Sequence, residues 1–296
     1  MPFTDTKVQL SDGANLRVRV LGIDDKEKPL LIALHGAPGL SSHTEPESAY
    51  SFLGDRFRVL VYDARGSGLS DLKGPFTDEQ WISDVDELRA WAGAETFVLA
   101  GGSYGGFLAL GYALTHPTRL SSLILRDTWS SGPIGVLRAL GAILTSHRIT
   151  PDPARQVRLW SGNVRDREDC ERALAEIVTI YSRERSEESS AAPANFEGAS
   201  EEFDLHWETH NAAFSFSVPR FDVRSRLSDI KTPTLVLVGR HDPICPVEEA
   251  ESIHRAIRNS ELVVFEASGH NPPADEPDAF QMAVNGFLAR LEEDKA

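Results

Sequence analysis

The sequence predicts an α/β fold: a mostly parallel sheet flanked by helices, carried by one large domain with a helical insert. Three observations predict it. Short, continuously apolar runs recur at Leu30–Leu34, Val59–Tyr62, Phe97–Ala100 and Leu120–Leu125, as strands buried on both faces require. Helical patterns separate the later runs, so consecutive strands connect through crossovers and lie parallel. The strand pattern then disappears for about 100 residues, from Thr128 to Arg226, and returns.

Taken in order, Val8–Leu10 and Leu16–Leu21 flank Ser11-Asp12-Gly13-Ala14-Asn15, which reads as a hairpin. Leu30–Leu34 and Val59–Tyr62 are the third and fourth strands. In Glu79–Trp91, the residues Trp81, Ile82, Val85, Leu88 and Trp91 recur at helical spacing. Phe97–Ala100 follows as a strand, then a helix from after Ser103 to near Pro117, then Leu120–Leu125 as the sixth strand. The insert, residues 128–226, contains helical stretches such as Cys170–Arg183. Arg185–Glu202, rich in Ser, Ala and Glu, reads as a loop. Strands resume at Thr234–Val238 and Leu262–Phe265, and a helix covers Ala279–Leu291. The expected domains are therefore a first core segment, 1–127, the insert, 128–226, and a second core segment, 227–296.

The chain has 296 residues, 41% hydrophobic and 25% charged, enough to bury a large core without crosslinks. Its net charge of −15, from 30 basic and 45 acidic side chains, argues against nucleic acid and anionic membrane surfaces as partners. Cys170 and Cys245 are the two cysteines; they read as free thiols in a reducing compartment. No basic-then-apolar leader opens the chain, and no run approaches the roughly 20 apolar residues of a membrane span. A cytoplasmic location is expected.

The chemistry concentrates at Gly101-Gly102-Ser103-Tyr104-Gly105, a G-x-S-x-G between a strand and a helix. That is the context of a nucleophile elbow, where small residues let a sharp turn lift a serine hydroxyl clear of the sheet. A serine hydroxyl needs a base to attack a carbonyl. The order expected in such a fold is serine, acid, histidine. Asp242 follows the strand Thr234–Val238, and His270 follows Leu262–Phe265, both beyond the carboxyl ends of strands, where ligands gather in open α/β sheets. Asp127, at the end of the sixth strand, competes with Asp242 for the role of acid. His241 reads as a neighbour of the acid.

An oxyanion needs preorganised N–H donors. Tyr104, directly after the serine, supplies one candidate. The loop His35-Gly36-Ala37-Pro38-Gly39 supplies the other, Ala37 first and Gly36 second, since Pro38 has no N–H. His35 reads as a strut for that loop. Asp63-Ala64-Arg65-Gly66-Ser67-Gly68 lacks the lysine of a phosphate loop and reads as a structural turn in which Asp63 and Arg65 could pair. No histidine or cysteine pair has metal-ligand spacing, so neither metal nor cofactor is expected. Cys245 lies three residues after the acid and is assigned to packing.

Taken together, His35-Gly36-Ala37-Pro38-Gly39, Asp63 to Ser70 and Gly101 to Gly106, with Gly239-Arg240-His241-Asp242 and Ser268-Gly269-His270, resemble the proline iminopeptidase branch of the α/β-hydrolases. The resemblance covers both core segments and only weakly the insert. It implies an α/β-hydrolase fold with a helical cap inserted after the sixth strand, no cofactor, and release of N-terminal proline from short peptides. It also implies a cap glutamate that holds the substrate's amine. Glu208-Thr209-His210-Asn211 resembles the segment that carries it, so Glu208 is the expected amine ligand, while Glu201 and Glu202 read as a solvated face. The chain departs from the family where Ala37 replaces a glycine, Tyr104 a tryptophan and Thr209 an asparagine. The leading expectation is a serine hydrolase of aminopeptidase type acting on a short peptide or small molecule. An esterase or lactonase of secondary metabolites is the alternative, and a hydrolase-like receptor a minor one. Dehalogenases and epoxide hydrolases are disfavoured because they carry Asp where Ser103 stands. Oligomeric state is left open.

Overall fold

The computed structural model describes residues 3–183 and 204–293; the expected loop Arg185–Glu202 lies outside them. Eight strands form one sheet in the order β1-β2-β4-β3-β5-β6-β7-β8. β1 (Phe3–Gln9) and β2 (Asn15–Leu21) form the expected hairpin, and β2 runs antiparallel to β4 (Arg58–Tyr62). From β4 onward all pairs are parallel: β3 (Leu30–Leu34), β5 (Phe97–Gly102), β6 (Leu120–Arg126), β7 (Thr234–Gly239) and β8 (Ser260–Phe265).

Strand alternation divides the core into two layers. Leu30, Ile32 and Leu34 face one side, where Trp81 and Leu88 of helix Asp78–Trp91 and Leu110 of helix Tyr104–Thr115 cover them. Leu31 and Ala33 face the other, against Tyr50, Phe280 and Phe287. A strand that is apolar on both faces therefore becomes the centre of a three-layer sandwich. Removing one of these aromatic side chains, such as Phe280, which is buried, would cost about 3–5 kcal/mol. Helix Asp78–Trp91 begins where Thr77 accepts the Gln80 N–H and where Asp78 and Glu79 complement the helix dipole.

The turn after β4 corrects one expectation. Asp63 and Arg65 do not pair with each other. Arg65 turns into the core and donates two 2.7 Å bonds to Asp84, with Asp12 at 2.8 Å. Asp63 instead accepts from His43 Nδ1 at 2.7 Å and from the backbone N–H groups of His43 and Leu69. A buried guanidinium needs a planar two-oxygen partner. Asp84, in the second turn of the neighbouring helix, offers that geometry; Asp63, two residues away on the same turn, does not.

Between β6 and β7 the chain leaves the sheet and forms helices Gly132–Thr145, Pro153–Trp160, Arg167–Ile177 and Trp207–Ala212. The two ends of this excursion meet in an antiparallel bridge between Ser131 and Asp222, flanked by Gly132 N–H to Phe221 O and Val223 N–H to Ser130 O. No helix among the described residues is long and apolar enough to cross a membrane.

Candidate active site

Ser103 sits between β5 and helix Tyr104–Thr115 with φ 53° and ψ −120°. Left-handed backbone at a non-glycine residue is strained and persists where surrounding structure enforces it. Here the enforcement is visible. The Ser103 N–H donates to Arg126 O at 2.9 Å, and its carbonyl accepts from Gly106 N–H and from Thr128 Oγ1. The glycines around it have no room for side chains: a Cβ on Gly101 would lie 2.2 Å from Gly105 O, and one on Gly105 would lie 2.7 Å from the carbonyl oxygens of Leu34 and His35. The strand end, the turn and the helix thus touch backbone to backbone.

The loop after β3 packs against this turn. A Cβ on Gly36 would stand 3.6 Å from Ser103 Cβ, so this loop lies in contact with the serine side chain. His35 fixes the loop: its Nε2 accepts the Ala64 N–H at 3.0 Å and its Nδ1 donates to Gly36 O at 3.1 Å. Burial pushes this imidazole down to about 4, so it stays neutral and keeps both bonds. Ser67 Oγ accepts the Gly39 N–H at 2.8 Å. Tyr104 begins the helix, whose first N–H groups lack intrahelical acceptors. Tyr104 and Ala37 both line the cavity that holds Ser103.

Asp242 and His270 meet. His270 Nδ1 donates to Asp242 Oδ2 at 2.7 Å, and Asp242 Oδ1 accepts from Ile244 N–H at 2.8 Å and Cys245 N–H at 2.9 Å. Burial opposes a charged imidazole, but the Asp242 carboxylate and its hydrogen bond outweigh it and raise His270 above its ordinary 6.5. The His270 backbone N–H donates to Tyr181 O at 2.7 Å, and the Tyr181 ring meets the imidazole edge-on at 5.0 Å.

Asp127 lies nearby with a different engagement. Its Oδ1 accepts the Gly239 N–H at 3.0 Å, and Arg126 reaches its Oδ2 at 3.5 Å. Burial first, then the charge on Asp242, hold its carboxyl well above the usual range. Arg126 also donates to His270 O at 3.3 Å and to Glu45. This buried guanidinium therefore links the end of β6 to the histidine loop, a connection no local sequence signal announces. His241 is exposed and bonds Glu266 O.

A cavity opens at Ser103. It is narrow, about 50 Å³, and is lined from the core by Ala37, Tyr104 and Phe107 and from the insert by Trp160, His210 and Phe214. A larger open depression, bordered by Phe3, Arg19 and Glu47, holds neither Ser103 nor His270; the narrow cavity is the one with the chemistry. Tyr104 Oη donates to half-buried Asp78 at 2.6 Å, and loss of solvent around that carboxyl pushes it up to about 6.

Glu208 requires a correction. It is exposed and does not line the cavity; its helix turns Thr209 and His210 inward instead. Residues two apart on a helix point about 200° apart, so burying His210 sends Glu208 to solvent. Glu201 and Glu202 lie outside the described residues. Trp160, His210 and Tyr181, each lining the cavity, were not singled out by the sequence, because nothing in a helical pattern tells a cavity wall from a core face.

Among the described residues, Asp242, Cys245 and His270 bring donor atoms within 4.8 Å of one another, the one grouping there that could take a metal ion. Its geometry suits a proton better. The carboxylate and imidazole already bond each other directly, and burial raises the Cys245 thiol well above its usual value, disfavouring the thiolate a metal would need.

A sequence profile described as the alpha/beta hydrolase fold matches residues 29–277. This chain belongs to the α/β-hydrolase family. Within it, the chain falls in the proline iminopeptidase-like branch. It is 33% identical over 282 residues to the proline iminopeptidase PfmaB of Pestalotiopsis fici, covering 94% of this chain and 98% of that one. It is 30% identical to the proline iminopeptidase of Saccharolobus solfataricus, covering 88% and 85%. Among solved structures, the proline iminopeptidase of Mycobacterium smegmatis superposes with TM-score 0.75 at 21% identity, covering 99% and 100% of the two chains, a likeness of fold. A thermophilic esterase from Thermogutta terrifontis superposes at 0.67 with 25% identity, covering 97% and 99%. This α/β-hydrolase therefore has solved neighbours that act on different bonds.

Proposed function

We propose that this α/β-hydrolase is a serine hydrolase working through an acyl-enzyme, of proline iminopeptidase type, which releases the N-terminal residue of short peptides or related amides. The observation that carries the proposal is the strained Ser103 backbone in the wall of the cavity, a cost that a bystander serine would have no reason to bear. Ser103 Oγ attacks the carbonyl while His270 Nε2 takes its proton; Asp242 holds the Nδ1–H tautomer and stabilises the imidazolium. The backbone N–H groups of Tyr104 and Ala37, with Gly36 as the alternative to Ala37, receive the oxyanion. His270 then gives its proton to the leaving group, and water releases the acyl group by the same steps. In this reading the excursion between β6 and β7 acts as a cap, with boundaries near residues 128 and 226. No step calls for a metal or an organic cofactor.

A second reading, an esterase or lactonase, is favoured by one observation: no carboxylate lines the cavity among the described residues, so no partner for a charged amine stands there. A paired assay of a prolyl anilide and a neutral aryl ester on the purified protein separates the two. Ser103→Ala should lower both activities by several orders of magnitude without loss of fold. Retention of more than about a tenth of kcat would reject Ser103 as nucleophile.

A further inference from the structure

Two cavity side chains carry buried polar atoms that no group among the described residues satisfies. His210 is 2% exposed and Trp160 6%, and both line the cavity that holds Ser103. His210 Nε2 donates to Leu159 O at 2.9 Å. That bond fixes the proton on Nε2 and leaves Nδ1 as a lone-pair acceptor. Burial pushes the ring down to about 4, so the acceptor is neutral. Among the described residues, neither His210 Nδ1 nor Trp160 Nε1 has a hydrogen-bond partner. Both rings stand beside Phe214, with centroids at 4.3 Å for His210 and 5.9 Å for Trp160. The surrounding wall, including Leu159, Leu174 and Ile177, is apolar. Buried polar atoms are seldom left unpaired in native proteins.

We infer that His210 Nδ1 and Trp160 Nε1–H recognise one neutral group on the substrate's acyl portion that both donates and accepts a hydrogen bond, either an unprotonated amine N–H or a hydroxyl. An N–H or O–H proton goes to His210 Nδ1, and the lone pair of the same N or O receives the indole N–H. A protonated amine has no lone pair for the indole and would leave its charge without a counter-ion in this wall. The inference rests on the acyl-pocket reading of Ser103 and names what that pocket selects.

The test uses binding, so turnover is not required. A fluorophosphonate probe labels Ser103, and small amides are measured by how far they slow labelling. Prolinamide is compared with cyclopentanecarboxamide, which has CH2 in place of N–H, and with tetrahydrofuran-2-carboxamide, which only accepts. Lactamide is compared with propanamide. The assays run at about pH 8.5, above the ordinary α-amino value. The expected result is that at least one donor-bearing amide protects roughly three- to tenfold better than its CH2 analogue. The prolinamide arm reports an amine substrate and the lactamide arm a hydroxyl one. In His210→Phe that advantage, measured within the variant as the ratio of prolinamide or lactamide protection to that of its CH2 analogue, disappears, and thermal unfolding shows that the variant is folded. Trp160→Phe should reduce the advantage of the same ligand. Absence of any donor advantage in the wild type, or its survival in His210→Phe, overturns the inference. Absence of labelling, or equal labelling of Ser103→Ala, overturns the serine reading instead.

Discussion

Replacing Asp242 with Asn should nearly abolish turnover, whereas the same change at Asp127 should leave most of it. In Asp242→Asn the amide oxygen can keep both bonds from the Ile244 and Cys245 N–H groups, so the loop survives. The amide nitrogen then faces His270 Nδ1, where a carboxylate oxygen stood at 2.7 Å. A donor there forces Nδ1 to accept, moves the imidazole proton to Nε2, and removes the lone pair that takes the serine proton. The tautomer change and the lost imidazolium stabilisation together should cost about 10⁴-fold in kcat, or about 5 kcal/mol of transition-state stabilisation. At Asp127 the arithmetic differs. Its carboxyl is held well above the usual range and bonds the Gly239 N–H instead of His270, so Asn keeps its shape, and the acceptor for that N–H at 3.0 Å remains. A loss below about tenfold, or 1.4 kcal/mol, is expected. The assay is kcat and KM for both variants on whichever substrate the wild type turns over, across pH, with thermal unfolding to show folding. The reasoning fails if Asp127→Asn is the more damaged variant, or if Asp242→Asn keeps more than about a hundredth of wild-type kcat.

Three further outcomes are expected. His270 must be neutral to act as base, and its value is raised above 6.5 by Asp242. Activity should therefore fall as pH drops through a point above 6.5, and a midpoint below that value in kcat/KM would contradict the raised histidine. Gly105→Ala places a Cβ 2.7 Å from two backbone oxygens. It should destabilise by about 1–3 kcal/mol in thermal unfolding and reduce turnover, and an unchanged Tm would deny the close contact. Glu208→Gln alters an exposed side chain outside the cavity. Both anilide and ester hydrolysis should stay within about twofold of wild type, and a selective loss on the anilide would return the amine-binding role to Glu208.

The sequence by itself determined the sheet and the linear positions of the chemistry. Continuous apolar runs this short, separated by helical patterns and turn signals, read as strands covered on both faces, so the parallel core was legible from Leu30–Leu34 onward. Gly101 and Gly105 announced the turn at Ser103 because a backbone-to-backbone contact leaves no room for any other residue. Strand ends fixed where Asp242 and His270 stand. The tertiary structure decided everything that depends on which way a side chain faces across elements. Asp242 and Asp127 both end parallel strands, and only the packing turns one to His270 and the other to Gly239 N–H. Arg65 chose Asp84 over its chain neighbour Asp63 because the bidentate geometry lies on another helix. In much of the insert the local pattern is helical, and helical periodicity records that a face is buried without saying against what. That is why Glu208 could be named from a motif and still face solvent, while His210, two residues on, lines the cavity. Contacts between distant segments are set by the summed packing of the whole chain, and no short stretch of sequence carries that sum.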